Sequence, residues 1–190
     1  MKIVLIGIQG AGKSTQGNLL SETLRIPYLS SGHIFREMAK EKTPTGRYVK
    51  ETINAGILMP DDMTIKVVNE YVSKPEYDRG YILDGFPRTV TQAKAFKNGI
   101  DYAVFLNVSD KEALWRISGR VAEREDETLQ ALRKRIDSFH KHTEPVVQYY
   151  KRAGKLLNVD GELSIDRIFK QILRELRKSG EKIKSPAKEA

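Results

Sequence analysis

Two kinds of apolar stretch alternate along this chain. Short continuous apolar runs are typical of strands that are buried on both faces of a sheet. They predict strands over residues 2–8, 27–30, 80–83, 101–108 and 155–159. Apolar residues that recur every three or four positions predict helices. These helices span residues 13–24, 32–41, 46–55, 61–73, 89–96, 110–120, 127–152 and 165–177.

The alternation of strands and helices predicts an α/β fold, in which helices cover both faces of a five-stranded parallel sheet. The stretch over residues 32–73 is helical throughout and interrupts this alternation. We expect part of it to form a small helical lobe over the carboxyl edge of the sheet, where such folds bind ligands. Gly56 and Pro60 separate two of these helices, and Asp61 is the predicted N-cap of the second.

Composition narrows the class of protein. The 190 residues suit one domain, and the absence of cysteine excludes disulfides and thiolate metal sites and suits the cytoplasm. No apolar run approaches the roughly 20 residues that cross a bilayer. The formal net charge is +8, but aromatic residues do not interleave with the basic ones as a nucleic-acid groove requires. We therefore predict no nucleic-acid or membrane partner. Residues 184–190 contain no apolar residue larger than alanine, and we expect a disordered basic tail over residues 179–190.

Residues 7–14 read Gly-Ile-Gln-Gly-Ala-Gly-Lys-Ser and fit G-x-x-x-x-G-K-[ST], the pattern of a phosphate-binding P-loop. The segment follows a predicted strand and opens a predicted helix, so backbone N–H groups and the helix N-terminus can face a phosphate. Lys13 can neutralise the β and γ oxygens of a nucleotide, and Ser14 can ligate Mg²⁺. The predicted triphosphate site comprises Gly10, Ala11, Gly12, Lys13, Ser14 and Thr15. A GTPase, a transport ATPase and a small-molecule kinase all remain open at this point.

A second segment, over residues 80–89, reads Gly-Tyr-Ile-Leu-Asp-Gly-Phe-Pro-Arg-Thr. Asp84, at the end of a buried strand, suits the outer shell of a phosphate-bound Mg²⁺. Gly85 lets a ligand approach the backbone, and Pro87 stiffens the loop. Arg88 offers a bidentate cation to the site. On its own the segment also fits a tight turn with a surface arginine.

With Gln92 four residues beyond Arg88, Asp-Gly-Phe-Pro-Arg resembles the signature of the adenylate kinase family. The likeness extends over about residues 1–178, and Gly-x-x-Gly-Ala-Gly-Lys-x-Thr-Gln matches at residues 7–16. Other segments resemble the family at Ser30-Ser31-Gly32 with Arg36, at residues 56–61, at Arg116 and Arg120, at Arg124, Asp126 and Arg135, at Tyr149-Tyr150 and at residues 159–161.

The resemblance implies a P-loop NTPase fold and reversible phosphoryl transfer from MgATP to AMP, which gives two ADP, in a cytoplasmic monomer. It implies one domain over residues 1–178, with an NMP-binding lobe at about 30–59. The catalytic residues would be Lys13, Arg88, Arg120, Arg124 and Arg135. ATP would also contact Arg116, Arg120 and the backbone near Lys155. AMP would contact Ser31, Arg36, Ile57, Leu58, Met59, Gly85, Phe86, Pro87, Arg88, Gln92, Arg124 and Arg135. Mg²⁺ would be held by Ser14 and Asp84, largely through water.

The chain departs from the family pattern in two places. Only Val121-Ala122-Glu123 separates Arg120 from Arg124, where long members carry a lid of several dozen residues, sometimes with zinc. We expect a minimal lid over residues 120–124 and no zinc. His33 stands where the family usually has an aspartate near the Mg²⁺ waters. Either Asp84 serves the outer shell alone, or His33 is a helix-start residue that faces solvent.

Other functions remain as alternatives. Kinases of UMP or CMP tend to carry asparagine after Pro-Arg, whereas Thr89 and Gln92 of this chain favour AMP. A P-loop regulatory GTPase would need a guanine-reading Asn-Lys-x-Asp segment, which the sequence lacks.

Overall fold

The fold is taken from a computed structural model, which describes residues 1–118 and 128–184. The predicted lid, with Arg120 and Arg124, lies outside the described residues. In the described part of the chain, no helix is both long and apolar enough to cross a membrane.

A parallel sheet forms the centre of the molecule, with its strands in the order β2-β3-β1-β4-β5. The strands are β1 (Lys2–Ile6), β2 (Tyr28–Ser30), β3 (Tyr81–Asp84), β4 (Tyr102–Asn107) and β5 (Leu156–Asp160). Leu5 of β1 pairs with Asp84 of β3. The segments that follow these two strands therefore leave the sheet side by side at its carboxyl edge. The predicted five-stranded parallel sheet is confirmed.

Helices connect the strands and cover both faces of the sheet. They are α1 (Lys13–Leu24), α2 (Ser31–Met38), α3 (Pro44–Asn54), α4 (Asp61–Val72), α5 (Val90–Ala95), α6 (Asp110–Ser118), α7 (Leu129–Ser138), α8 (Glu144–Arg152) and α9 (Ile165–Lys184). A 3₁₀ turn over Pro75–Tyr77 precedes β3, and a π-helical turn over Phe139–Thr143 joins α7 to α8.

The helix predicted over residues 127–152 is present from Leu129 to Arg152, but a π-helical turn interrupts its α-helical geometry. Pro145 lies at the start of α8, directly after the π turn. Proline has no N–H to donate and its ring crowds the preceding turn, so a regular α-helix cannot run through this position unchanged. The wider π turn accommodates it.

Two helix ends also differ from the prediction. Helix α9 continues to Lys184, so residues 179–184, assigned to a disordered tail, are helical. Lysine and glutamate are good helix formers and can extend a helix that is anchored elsewhere. At the start of α4, Pro60 is the N-cap and Asp61 is the first helical residue. The carboxylate of Asp61 therefore serves a different contact, described below.

Alternate residues of the strands pack into two hydrophobic cores, because successive side chains point to opposite faces of a sheet. Ile3 and Leu5 pack with α1 and α9, whereas Val4 and Ile6 pack with α4 and α8. A third, smaller cluster contains Phe35 of α2, Val49 of α3 and Met59. This small cluster lets α2 and α3 pack together beside the carboxyl edge of the sheet.

Candidate active site

A cleft of about 240 Å³ lies at the carboxyl edge of the sheet. Its walls come from the loop after β1, the start of α2, the α3–α4 connection, the loop after β3, and α7 with the π turn. Most of the residues predicted from the sequence line it: Gly10, Gly12, Lys13, Ser14, Ser31, Arg36, Ile57, Leu58, Met59, Asp84, Gly85, Pro87, Arg88, Gln92 and Arg135.

The phosphate loop packs tightly against α6. Gly10 has a φ of +88°, and a Cβ there would lie 2.7 Å from the carbonyl oxygen of Ala113. Lys13 Nζ donates to the carbonyl oxygens of Gly7 and Ile8, at 2.8 and 2.9 Å. Burial lowers the pKa of Lys13, and Arg88 lowers it further, whereas Asp84 opposes both effects. Lys13, Asp84 and Arg88 therefore influence one another electrostatically.

Asp84 supplies the carboxylate of the cleft, and the described lining residues include no second one. Its side chain is largely buried, and Oδ2 accepts a hydrogen bond of 2.7 Å from Tyr28 Oη. Oδ1 is also buried but has no hydrogen-bond partner among the described residues. A buried carboxylate oxygen without a partner is costly unless a cation or water meets it.

Arg88 is held by the backbone of its own turn. Its Nε donates to the carbonyl oxygen of Gly85 at 2.8 Å. Gly85 has a φ of +78°, and a Cβ there would lie 2.6 Å from Ser31 Oγ, so only glycine fits this approach. Burial lowers the pKa of Arg88; Asp84 opposes this shift, while Arg135 and Arg36 add to it. Three guanidinium groups thus face the same space.

Gln92 is almost completely buried and anchored at both ends of its amide. Its Oε1 accepts from the backbone N–H of Arg88 at 2.7 Å, and its Nε2 donates to Asp61 Oδ1 at 2.8 Å. Thr89 Oγ1 also donates to the Asp61 carboxylate, at 3.0 Å to each oxygen. An obligate donor and an obligate acceptor therefore fix which way the amide points.

Arg135 reaches across the cleft from α7. Nη2 donates to the carbonyl oxygen of Ile53 at 2.8 Å, and Nη1 donates to Gln9 Oε1 at 3.3 Å. One side chain thereby contacts both the end of α3 and the phosphate loop. The sequence placed Arg135 at the site by resemblance alone, within a charged helical run.

Several predicted residues do not line the cleft. Ala11 and Thr15 belong to the loop and the first turn of α1, and Phe86 is a core residue that packs edge-on against Phe96. Arg116 pairs with Glu112 at 2.7 Å on α6. His33 is exposed in the first turn of α2. Its exposure there fits the second of the two readings, a helix-start residue that faces solvent.

The placement of Lys155 beside ATP is a misprediction. Lys155 comes directly before β5, and its Nζ donates to the carbonyl oxygen of Ile100, just before β4. The amino ends of parallel strands share one edge of the sheet, and the phosphate loop leaves from the opposite edge. Lys155 therefore lies at the wrong edge to contact a ligand in the cleft.

Three contributors were missed by the sequence analysis. Tyr28 binds Asp84, Asp61 binds Gln92, and Thr143 Oγ1 donates to the carbonyl oxygen of Arg88 at 3.0 Å. Each contact joins residues that are far apart in the chain. No local pattern marks these contacts, although the sequence analysis named Asp61 as a predicted N-cap.

The cleft concentrates cations around one carboxylate, an arrangement suited to binding phosphates. In the described residues no group of three or more His, Cys, Asp or Glu side chains could hold a metal ion. The protein alone therefore offers no complete metal cage in these parts of the chain. A metal bound here would bring most of its ligands with it, as a nucleotide-bound Mg²⁺ does.

Comparison with known proteins agrees with this geometry. The sequence profile of the family described as Adenylate kinase matches residues 5–155. The chain is 35% identical over 212 aligned positions to an "Adenylate kinase" of Acetivibrio thermocellus, which covers 93% of this chain and 98% of the relative. It is 34% identical to one of Thermosipho africanus, with 94% and 100% covered. For one of Clostridium botulinum the identity is 36%, with 90% and 96% covered.

These alignments span more positions than the chain has residues, so each relative carries residues inside the matched region that this chain lacks. The match nevertheless includes both the phosphate loop and the segment from Asp84 to Gln92. Such a match over most of both sequences is specific, and this chain belongs to the adenylate kinase family.

Proposed function

We propose that this protein transfers the terminal phosphoryl group of MgATP to AMP and so forms two ADP, reversibly. The observation that carries the proposal is that Lys13 of the phosphate loop and Arg88 of the second segment share one cleft with Asp84. One phosphate-binding loop would suffice for hydrolysis. A second cationic segment at the same cleft provides for a second phosphate.

The residues supply positioning and charge, which is most of what phosphoryl transfer requires. An oxygen of the AMP phosphate attacks the γ-phosphorus, and the bond from that phosphorus to the β–γ bridging oxygen breaks, which releases ADP. The acceptor oxygen is already anionic, so no general base is needed. Lys13 contacts the ATP phosphates, while Arg88, Arg36 and Arg135 hold the AMP phosphate and the group in transfer.

Mg²⁺ fits the chemistry of this cleft. Asp84 Oδ1 is an unpartnered, buried carboxylate oxygen among the described residues, and Ser14 lines the same cleft. Both are hard oxygen donors of the kind that Mg²⁺ takes, directly or through its waters. When bound with ATP, the ion neutralises charge on the β and γ oxygens. Ser14 and Asp84 would hold it there.

The base of AMP would lie beside the α3–α4 connection, near Ile57, Leu58 and Met59, with its polar edge toward Gln92. Helices α2 and α3 with their small core would form the NMP-binding lobe, about residues 30–59, within one domain over residues 1–178. Arg120 and Arg124 would complete the ATP side through the minimal lid. We also propose that the enzyme acts as a monomer.

Measuring diphosphate formation with ATP, Mg²⁺ and each of AMP, CMP, UMP and GMP tests the proposal. AMP is expected to be converted fastest, because the chain belongs to the adenylate kinase family. Lys13→Met is expected to be inactive, whereas Lys50→Met, on the exposed face of α3, remains active. Faster turnover of UMP or CMP would instead favour the pyrimidine kinase, and acceptor-independent hydrolysis would favour a regulatory NTPase.

A further inference from the structure

Tyr28 and Asp84 are neighbours on one face of the sheet. The register pairs Tyr28 with Ile82 and Ser30 with Asp84. Tyr28 therefore lies diagonally across from Asp84 on the same face, within reach of a long aromatic side chain. Its hydroxyl group donates a hydrogen bond of 2.7 Å to Asp84 Oδ2.

This hydrogen bond makes the two carboxylate oxygens of Asp84 unequal. Oδ2 is committed to Tyr28, whereas Oδ1 is buried without a hydrogen-bond partner in the described part of the chain. A carboxylate anchored through one oxygen cannot rotate without breaking that bond. The other oxygen is therefore held in a defined direction in the cleft.

Gly17 provides the space for the Tyr28 ring. Gly17 is buried in α1, and a Cβ there would overlap the edge of that ring. Any larger residue would force the ring, and with it the hydroxyl group, away from its position. A glycine within a helix normally lowers helix stability by about 1 kcal/mol relative to alanine. Here it makes room for the contact to Asp84.

We propose that Tyr28 is a positioning residue, which anchors Oδ2 of Asp84 so that Oδ1 faces the hydrated Mg²⁺ of bound MgATP. The proposal rests on the proposed function, since it assumes that MgATP occupies this cleft. It assigns a joint role to Tyr28 and Gly17, which lie outside both the phosphate loop and the segment over residues 80–89. Asp84 is the one carboxylate among the described lining residues, so its orientation matters more than it would in a site with several acids.

Calorimetric titration with the β,γ-imido analogue of ATP, with and without Mg²⁺, tests the assignment without any turnover. The ratio of the two affinities measures how strongly the protein favours the metal-bound analogue. Tyr28→Phe is expected to lower this ratio about tenfold, the usual lower range for loss of a hydrogen bond to a metal-facing ligand. The affinity for the metal-free analogue is expected to stay unchanged.

Tyr81→Phe is the matched control. Tyr81 lies on β3 like Asp84, and its hydroxyl oxygen is buried without a hydrogen-bond partner among the described residues. The substitution removes a buried hydroxyl group from the same strand but leaves Asp84 untouched, so the affinity ratio is expected to equal that of the wild type. Gly17→Ala keeps the Tyr28 hydroxyl but displaces the ring, and is expected to lower the ratio as Tyr28→Phe does.

The outcomes separate this proposal from the proposed function. A wild-type ratio in Tyr28→Phe, or an equal fall in both affinities, overturns the positioning role. A selective fall in the metal-bound affinity supports it, even if the wild-type protein does not phosphorylate AMP. That last result would overturn the proposed function alone.

Discussion

The buried and crowded position of Arg88 suits phosphate binding better than it suits folding. It lies in a cleft with Arg36 and Arg135, and burial and these neighbours lower its pKa. The guanidinium group of Arg88 adds little to folding, because its loss of hydration and the repulsion from Arg36 and Arg135 offset its backbone contact and its attraction to Asp84. A phosphate between these groups reverses the balance.

Replacement of Arg88 by alanine is therefore expected to separate activity from stability. We expect kcat to fall by about 10³-fold or more, the scale of an arginine that stabilises the transition state of phosphoryl transfer. The melting temperature is expected to stay the same or rise slightly. Steady-state kinetics and thermal unfolding measure the two effects.

Arg47→Ala, an exposed arginine on α3, is the control and is expected to change neither quantity. Full activity in a folded Arg88→Ala protein would remove Arg88 from the mechanism.

At this scale the sequence predicted the residues that belong to local patterns. Lys13, Asp84 and Arg88 all stand in short motifs and all reach the cleft. Tyr28 and Asp84, by contrast, are 56 positions apart. Their contact depends on which strands are neighbours, and that information is not local.

Helices α4 and α5 meet through Asp61, whose carboxylate accepts hydrogen bonds from Thr89 and Gln92. Asp61→Ala would leave the buried Nε2 of Gln92 without its acceptor. The cost of such a loss is about 1–3 kcal/mol. Because Gln92 is proposed to read the base, we expect the KM for AMP to rise about tenfold, with a smaller change for ATP.

Asp62→Ala separates this effect from a change of charge at the helix N-terminus. Asp62 lies in the same first turn of α4 but is exposed. The KM values of the Asp62→Ala variant for AMP and ATP are expected to match those of the wild type. An unchanged AMP KM in Asp61→Ala would show that Gln92 keeps its orientation without Asp61.

The π turn carries a pH-sensitive link to α6. His140 Nδ1 lies 3.1 Å from Glu144 Oε2, and Nε2 lies 3.0 Å from Asp110 Oδ1. The hydrogen bond to Glu144 is the main cause that raises the pKa of His140, and Asp110 adds to it. The charged imidazole therefore stabilises the folded state below pH about 6.5, and this contribution disappears as the pH rises through the raised pKa.

Urea unfolding of the wild type and His140→Gln is expected to show this directly. The wild type should be more stable at pH 5.5, and the difference should shrink by pH 8.5. The groups are about half exposed, so we expect a difference below about 1 kcal/mol. His142→Gln, at an exposed neighbour on the same turn, is the matched control for replacing a histidine. A constant difference between pH 5.5 and 8.5 would contradict the charge effect.

Some helix boundaries were predictable from local sequence. Helix α1 follows the glycine-rich phosphate loop and begins and ends as predicted. Within the helix over residues 127–152, the π turn before Pro145 was not predicted, although a proline inside a helical pattern indicates a local irregularity. The end of α9 was mispredicted because a lack of apolar residues was read as disorder, although charged residues also favour helices.

Across the whole molecule, the helical lobe meets α7 over the cleft. Gly56 has a φ of +70°, and a Cβ there would lie 2.6 Å from the carbonyl oxygen of Ala131. Arg135 also joins α7 to the carbonyl oxygen of Ile53. The two sides of the cleft are thus in contact through backbone atoms, which cannot move aside as a side chain can.

Gly56→Ala is expected to hold the lobe away from α7 and to raise the KM for AMP. Gly99→Ala is the matched control, since Gly99 has a φ of +69° and no atom lies within 4 Å of its added Cβ. Both variants incur backbone strain, of about 1 kcal/mol or more, so both are expected to lose stability. Loss of AMP affinity in Gly56→Ala alone would identify the contact between lobe and α7; an equal change in both would point to strain only.

The class of fold was predictable from the alternation of strands and helices, but the strand order was not. Strand β2 has only three residues, Tyr28–Ser30. Its sequence pattern is too short to indicate which strands pair with it. Its place beside β3 depends on packing between α1, α4 and the sheet. The lobe likewise needs tertiary contacts, because its helices share a core of only a few residues.

The convergence of Lys13, Arg36, Arg88 and Arg135 on a single described carboxylate has a consequence for the lifetime of the protein. A ligand rich in negative charge cancels repulsion that the folded chain otherwise carries alone. A ligand whose free concentration is 100 times its dissociation constant adds about 2.7 kcal/mol to the free energy of unfolding. Nucleotides are thus stabilising ligands of the enzyme as well as its substrates. A cell depleted of nucleotides would lose active enzyme by unfolding and degradation, in addition to losing substrate.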